Sequence, residues 1–387
     1  MGNQDYRRGT TTHLSVQTDQ YYSSKREFKM RAGIPMMSLL DKAGGNLSAG
    51  LPFVLYKKPD HAAVRGLFQK SSQLHTADDF DGKGYVFAPF YHGETLIIPD
   101  HDADFLYSIY ENDGHLNSTS VTTANETGRD FHLKLVTKGI RAILDHDFEK
   151  VVLSRKERFD LVAFDFRKIY AALLQNYPEA YVYCWFHPET GFWFGAFSEQ
   201  LLRISDGKLH TMAVAGTQKW HEGLTWQEKE KHEQQFVSDF ISDALKDFSI
   251  SVQSGNPYTL RAGALAHIRT DISADLKPDA DLNGIIGALH PTPAVCGLPK
   301  RPALEFILEN EGYDRDFYAG FHGELNRDFL HGTGQTDFFV NLRCMQVDTD
   351  GISAGICVGG GITKDSDPEA EWLETVHKSQ TIKKVLF

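Results

Sequence analysis

The sequence predicts a mixed α/β (α+β) protein built around a substantial sheet. Three observations carry this. Short apolar runs recur along the chain between Gly, Pro and Asp residues, as strands do. A helical period interrupts them between positions 226 and 248, and a second helix start follows at Asp367. With 387 residues, 41% of them hydrophobic, the chain has enough material for a sizeable core.

Residues 1–30 are polar and without period, and read as a flexible N-terminal segment. Residues 31–127 read as the first part of the body, with strand-like runs at 51–56 (LPFVLY) and 85–90 (YVFAPF) and a polar connection at 112–127. Residues 128–387 carry the clearer alternation. Strands are expected at 151–154 (VVLS), 181–186 (YVYCWF), 191–197, 209–215 and 352–358. In the helix at 226–248, Phe236, Phe240 and Ala244 recur at i+4, as do Val237, Ile241 and Leu245. The last helix opens with Asp367 as N-cap and Pro368 at its first position.

The formal charge of −12 argues against nucleic acid or an anionic membrane surface as the main partner, but leaves room for a small anion in a locally cationic pocket. Cys184, Cys296, Cys344 and Cys357 show no metal or disulfide spacing and read as reduced thiols. The polar start lacks a signal-peptide core, and no window is apolar enough to span a bilayer. These features predict a soluble, cytoplasmic protein.

Several residue patterns could hold chemistry. Glu371, Glu374 and Lys378, spaced by three and four, share one helix face. They fit a solvated face with a Glu–Lys pair as well as a ligand site. Glu233 lies on the apolar side of its helix, where a carboxylate needs a cation, either a salt-bridge partner or a metal. Two such acidic faces brought together would suit Mg²⁺. Gly359-Gly360-Gly361 and Gly216-Thr217 each follow a strand, and either turn could offer backbone amides to an anion or be only a turn. His290-Pro291-Thr292-Pro293 is a rigid segment in which His290 could be a packed core histidine. Lys150, next to Glu149 before a strand, looks locally like a surface lysine.

Taken together and in order, these residues resemble the chorismate-binding enzymes, most closely the isochorismate synthases. The resemblance covers about 150–387. EKVVLSR at 149–155, GAFSEQLL at 195–202 against the usual GASPELL, and AGT at 215–217 are its first segments. His232-Glu233, LHPTPAV at 289–295, Leu342-Arg343-Cys344 in the place of an IRC strand, and the C-terminal run from Gly359 through Glu374 complete it.

The resemblance implies large sheets flanked by helices, with the active site between two halves. It implies reversible conversion of chorismate to isochorismate, with water attacking C2 and the C4 hydroxyl departing. Lys150 is similar to the family's base and Glu199 to its acid. Lys150 would need a pKa lowered by burial and neighbouring cations, and Glu199 one raised by apolar surroundings. Glu233 and Glu374 resemble Mg²⁺ ligands, with Glu371 as helper. Arg343 would pair with a substrate carboxylate, with Gly216, Thr217, His290, Thr292, Gly359, Gly360, Gly361 and Lys378 as further substrate contacts. Ammonia-using relatives typically carry Gln at the position of Lys150, so the nucleophile is expected to be water. A salicylate synthase, which goes on to eliminate pyruvate, is the alternative reading, and a binding relative without turnover a third. The family precedent is a monomer without an amidotransferase subunit, and the isochorismate could feed menaquinone, a siderophore or salicylate. Ser198, Gln200, Gln218-Lys219-Trp220 and Phe321-His322 depart from the usual pattern.

Overall fold

The computed structural model describes residues 33–112, 126–161, 163–262 and 265–386. The 1–30 segment and most of the polar stretch at 112–127 lie outside the described residues. Along the chain, α1 (Met36–Ser48) leads into β1 (Phe53–Lys57), β2 (Ala63–Gln69), β3 (Gly84–Ala88), β4 (Leu96–Pro99) and β5 (Ala103–Ile109). Then come α2 (Arg129–Leu144), β6 (Lys150–Asp160) and α3 (Phe166–Asn176). Strands β7 (Val182–His187), β8 (Gly191–Ala196), β9 (Gln200–Ser205) and β10 (Lys208–Lys219) precede α4 (Glu228–Leu245). Next follow β11 (Ser249–Ser254), β12 (Tyr258–Ala262), β13 (Leu265–Leu276), α5 (Leu282–Leu289), β14 (Gly297–Leu298) and α6 (Lys300–Asn310). The last elements are β15 (Phe321–Leu325), β16 (Thr336–Val340), β17 (Cys344–Val347), β18 (Ser353–Ile362) and α7 (Pro368–Leu386).

The strands form two antiparallel sheets of nine strands each among the described residues. The first runs β14-β6-β18-β17-β8-β7-β1-β2-β5. The second runs β11-β13-β10-β9-β16-β15-β3-β4, with β12 paired on β13. One apolar core draws side chains from both sheets. In it Phe87 of β3 stacks on Trp185 of β7, with ring centroids 4.8 Å apart. A second core lies where α1 and α3 cover Phe53, Leu55 and Phe68 of the first sheet. Helix α4 packs on β10 and β13, and α7 on β18 and α2.

Physical details refine the expected elements. In α4 the buried apolar residues are Val237, Ile241 and Leu245, and Gln234 and Ser238 are buried beside them. Phe236 is half exposed, because the helix presents one narrow stripe to the sheet, and its other i+4 series runs along the margin. The helix starts at a capping box formed by Gln227 and Glu230. The last helix starts as expected: Asp367 Oδ1 accepts from Ala370 N at 2.9 Å.

Two expectations fail. The triple glycine is not a turn after a strand but part of β18, paired with Ser154, Leu153 and Val152 of β6. Its amides therefore belong largely to the sheet ladder. Arg343 does not lie in a strand but on a bend before β17, with φ of +48°. The four cysteines are free and buried. No helix among the described residues is long and apolar enough to cross a membrane.

Candidate active site

The first residue of β6 is Lys150, and its partner in the edge strand β14 is Leu298. Its amine donates to Glu233 Oε1 at 2.7 Å, across the gap between the first sheet and α4. Burial alone would raise the Glu233 pKa, but the Lys150 charge and hydrogen bond, with Lys229 and Lys378 beyond, bring it below its ordinary value. The contact ties the Lys150 amine to the Glu233 carboxylate and fixes where both side chains sit.

The glycines of β18 form the floor beneath these groups. A Cβ on Gly361 would lie 3.0 Å from Lys150 Cε, and one on Gly360 would lie 3.1 Å from Glu371 Oε2. A Cβ on Gly359 would meet Leu153 O at 2.8 Å and the Tyr318 hydroxyl at 2.9 Å. Glycine here serves close approach by side chains from other elements, not a special backbone angle. Gly216 is the reverse case. Its φ of +69° sits at a bulge in β10, between Ala215 and Thr217.

From α7, Lys378 bridges Glu374 Oε1 at 2.6 Å and the Gly359 carbonyl at 2.8 Å. Burial lowers the Lys378 pKa, Glu374 opposes that, and Arg343 adds to it. Glu371 accepts from Ser366 Oγ at 2.7 Å. Its carboxyl is raised above the ordinary value by burial, against the Ser366 hydrogen bond and with help from the like charge of Glu374. Arg343 lies over the Phe197 ring at 5.5 Å, screened from water and within electrostatic reach of Tyr318, Glu374, Tyr177 and Glu199.

Glu199 stands just before β9, only partly open to solvent. Burial lifts its pKa to about 7, although Lys150, Arg343 and Lys378 pull it down. It lines a small cavity with Thr292, Thr211, Val237 and Ile241. The Thr292 hydroxyl is buried there without a hydrogen-bond partner among the described residues. Thr217 is exposed at the bulge, with Oγ1 3.1 Å from His267 Nδ1.

His290 makes its contacts elsewhere. Its Nε2 is 3.0 Å from the Phe90 carbonyl, its ring packs edge-on against Phe321, and burial lowers its pKa to about 4. That is a neutral core histidine. The sequence reading missed His267 of β13, whose Nδ1 lies 3.2 Å from the Gly216 carbonyl. Its pKa is lowered by burial, and Arg343, Lys378 and Glu374 all act on it, so it belongs with the cluster. The available signal is strand alternation: His267, Arg269 and Asp271 share the less buried face of β13.

No group of three His, Cys, Asp or Glu among the described residues is set to enclose a metal ion. Glu233 and Glu374 each hold a lysine instead. The donor chemistry nevertheless fits a hard divalent cation. Glu233, Glu371 and Glu374 face the Gly360–Gly361 floor, and the repulsion between Glu371 and Glu374 is what such a cation would relieve.

The family model that matches, over residues 100–387, is that of the chorismate binding enzymes. The salicylate biosynthesis isochorismate synthase of Pseudomonas aeruginosa is 31% identical over 262 residues, 65% of this chain and 53% of that protein. Anthranilate synthase component 1 of Methanothermobacter thermautotrophicus is 30% identical over 286 residues, 70% of this chain and 59% of that protein. The chain thus spans little more than half the length of these relatives. The solved structure of MenF, the menaquinone-specific isochorismate synthase from Escherichia coli, superposes with a TM-score of 0.72 at 22% identity, covering 87% of this chain and 89% of that one. The fold is therefore shared, and with three quarters of its length matched by the family model, the chain belongs to the chorismate binding enzyme family.

Proposed function

We propose that the chain is an isochorismate synthase, an isomerase acting on chorismate with water as nucleophile. The observation that carries the reading is the state of Glu199. A carboxyl that keeps its proton to about pH 7, within electrostatic reach of three cations, is suited to general acid work. Its proton would go to the C4 hydroxyl, which leaves as water. Lys150 would take a proton from the water that adds at C2, and the ring double bonds shift between the two events. One water enters and one departs, so the conversion is an isomerisation.

The remaining residues would bind and orient. Arg343 offers a planar fork to a substrate carboxylate. Glu233, Glu371 and Glu374 would hold Mg²⁺, which when bound supplies positive charge for a second carboxylate. Drawing Glu233 away from Lys150 would also free the amine to act as a base. Lys150 favours water over ammonia on the resemblance described above. The reading includes a monomer in the cytoplasm, with no amidotransferase subunit and no nucleic-acid partner.

The deciding experiment is to incubate the protein with chorismate and Mg²⁺ and identify the products. Isochorismate without pyruvate is expected. Enzyme-dependent pyruvate with salicylate would favour a salicylate synthase, and tight chorismate binding without conversion would overturn the catalytic reading.

A further inference from the structure

The residues on either side of Glu199, Ser198 and Gln200, are departures from the family pattern, and each is tied to a different sheet. Ser198 Oγ accepts from Tyr181 N at 3.1 Å, just ahead of β7 in the first sheet. Gln200 Nε2 donates to Asp337 Oδ1 at 2.6 Å, on β16 in the second.

Neither anchor is loose. The Tyr181 hydroxyl lies 3.1 Å from that of Tyr85, which lies 2.8 Å from His322 Nδ1, and all three rings are buried. The other Asp337 oxygen pairs with Lys58 Nζ at 2.5 Å, and Lys58 pairs with Glu324 at 2.7 Å. Glu324 in turn holds Arg65 at 2.7 Å and the Tyr56 hydroxyl at 2.5 Å, all without solvent exposure. His322, a third departure from the pattern, thus joins the network that anchors Ser198.

The backbone explains why such ties matter. The β9–β16 pairing shifts register between Phe338 and Phe339, next to the point where Val340 N donates to the Glu199 carbonyl at 2.8 Å. A bulge re-aims the side chains beside it. Serine before the acid also leaves φ free where proline would fix it.

We infer that Ser198 and Gln200 are positioning residues for Glu199, their side-chain hydrogen bonds holding the acid between the two sheets. The inference rests on the reading of Glu199 as the general acid. The carboxyl is within electrostatic reach of Lys150 on β6, Arg343 on the bend before β17 and Lys378 on α7, so a small swing changes its environment.

The test compares Ser198→Ala, Gln200→Met and the double variant with Ser198→Thr, which keeps the acceptor oxygen. Loss of a tether should lower kcat roughly ten- to a hundredfold, as misplacement of a reacting group does. KM should stay within about twofold, the mark of an interaction used in the transition state. Carbon-13 NMR of labelled Glu, with Glu199 assigned by its loss in Glu199→Gln, should show its titration midpoint fall in the double variant and recover in Ser198→Thr. Unchanged kcat and midpoint in the double variant would overturn the inference. So would a loss of kcat, KM and unfolding midpoint together, without rescue by threonine. If the wild-type protein does not convert chorismate, the isomerase reading fails, while the titration still decides whether the tethers place Glu199.

Discussion

Lys150 Nζ donates to Glu233 Oε1 at 2.7 Å, so the candidate base and a candidate metal ligand are partners of one another. Whatever occupies Glu233 governs whether Lys150 can act. Lys150→Ala is expected to reduce isochorismate formation roughly 10²- to 10⁴-fold, the scale of a general base. The fold should survive, because the Glu233 side chain is 26% exposed and can rehydrate. A product assay beside a urea melt checks both, and a full rate in Lys150→Ala would remove the assigned base.

Glu199 sets a pH dependence of defined sign. As an acid it must be protonated, so the rate should fall as pH rises through about 7, and Glu199→Gln should lose both the rate and that limb. Stability should follow the same window. The folded protein keeps the proton up to about 7, whereas the unfolded chain releases it near the ordinary 4.5, so wild-type stability declines between those values. Glu199→Gln should be relatively more stable at pH 8 than at pH 4.5, as measured by urea unfolding at both.

Chelation of Mg²⁺ should stop turnover. Glu374→Gln should raise the Mg²⁺ concentration needed for half-maximal rate, and calorimetric titration of Mg²⁺ should show the same weakening. A rate unaffected by EDTA would exclude the metal.

The glycine floor is testable by one methyl group. Gly361→Ala places a Cβ 3.0 Å from Lys150 Cε and must push that side chain aside. Activity should drop more than stability does, because the displaced atom belongs to a flexible side chain. Equal loss in both would mean that the sheet, not the lysine, bears the strain.

Glu324 is fully buried and shared by Lys58, Arg65 and Tyr56. Glu324→Ala leaves two cations facing a lost partner and should cost about 3–5 kcal/mol. Denaturant unfolding would register this as a lower midpoint. A change under about 1 kcal/mol would mean that water replaces the carboxylate.

Local pattern made much of this legible. The runs at 151–154, 181–186 and 191–197 fall on β6, β7 and β8, with Tyr181 and Phe197 just outside them, and Asp367 caps the helix it was expected to cap. Positions whose meaning depends on distant neighbours were not legible. The triple glycine reads as a turn in isolation, because nothing nearby in sequence says that Lys150 and Glu371 crowd it. Phe236 fits a helical period but lies beside the buried stripe. His290 and His267 exchanged places for the same reason: one is packed against Phe321, the other is drawn to the cluster by the β10–β13 pairing. Lys58 and Arg65 look like surface charges until β15 and β16 bring Glu324 and Asp337 to them.

The strand order has a last consequence for how this protein can be divided. The family match begins at residue 100, yet β1 lies between β7 and β2, and β3 between β15 and β4. Cutting the chain where the match begins would turn β7 and β15 into raw edges, open to pairing with any other chain. It would also remove Lys58 and Arg65, leaving Glu324 and Asp337 buried without their cations. What is recognisable as a family segment is thus not a physical unit, and a shortened version should aggregate where the longer chain folds.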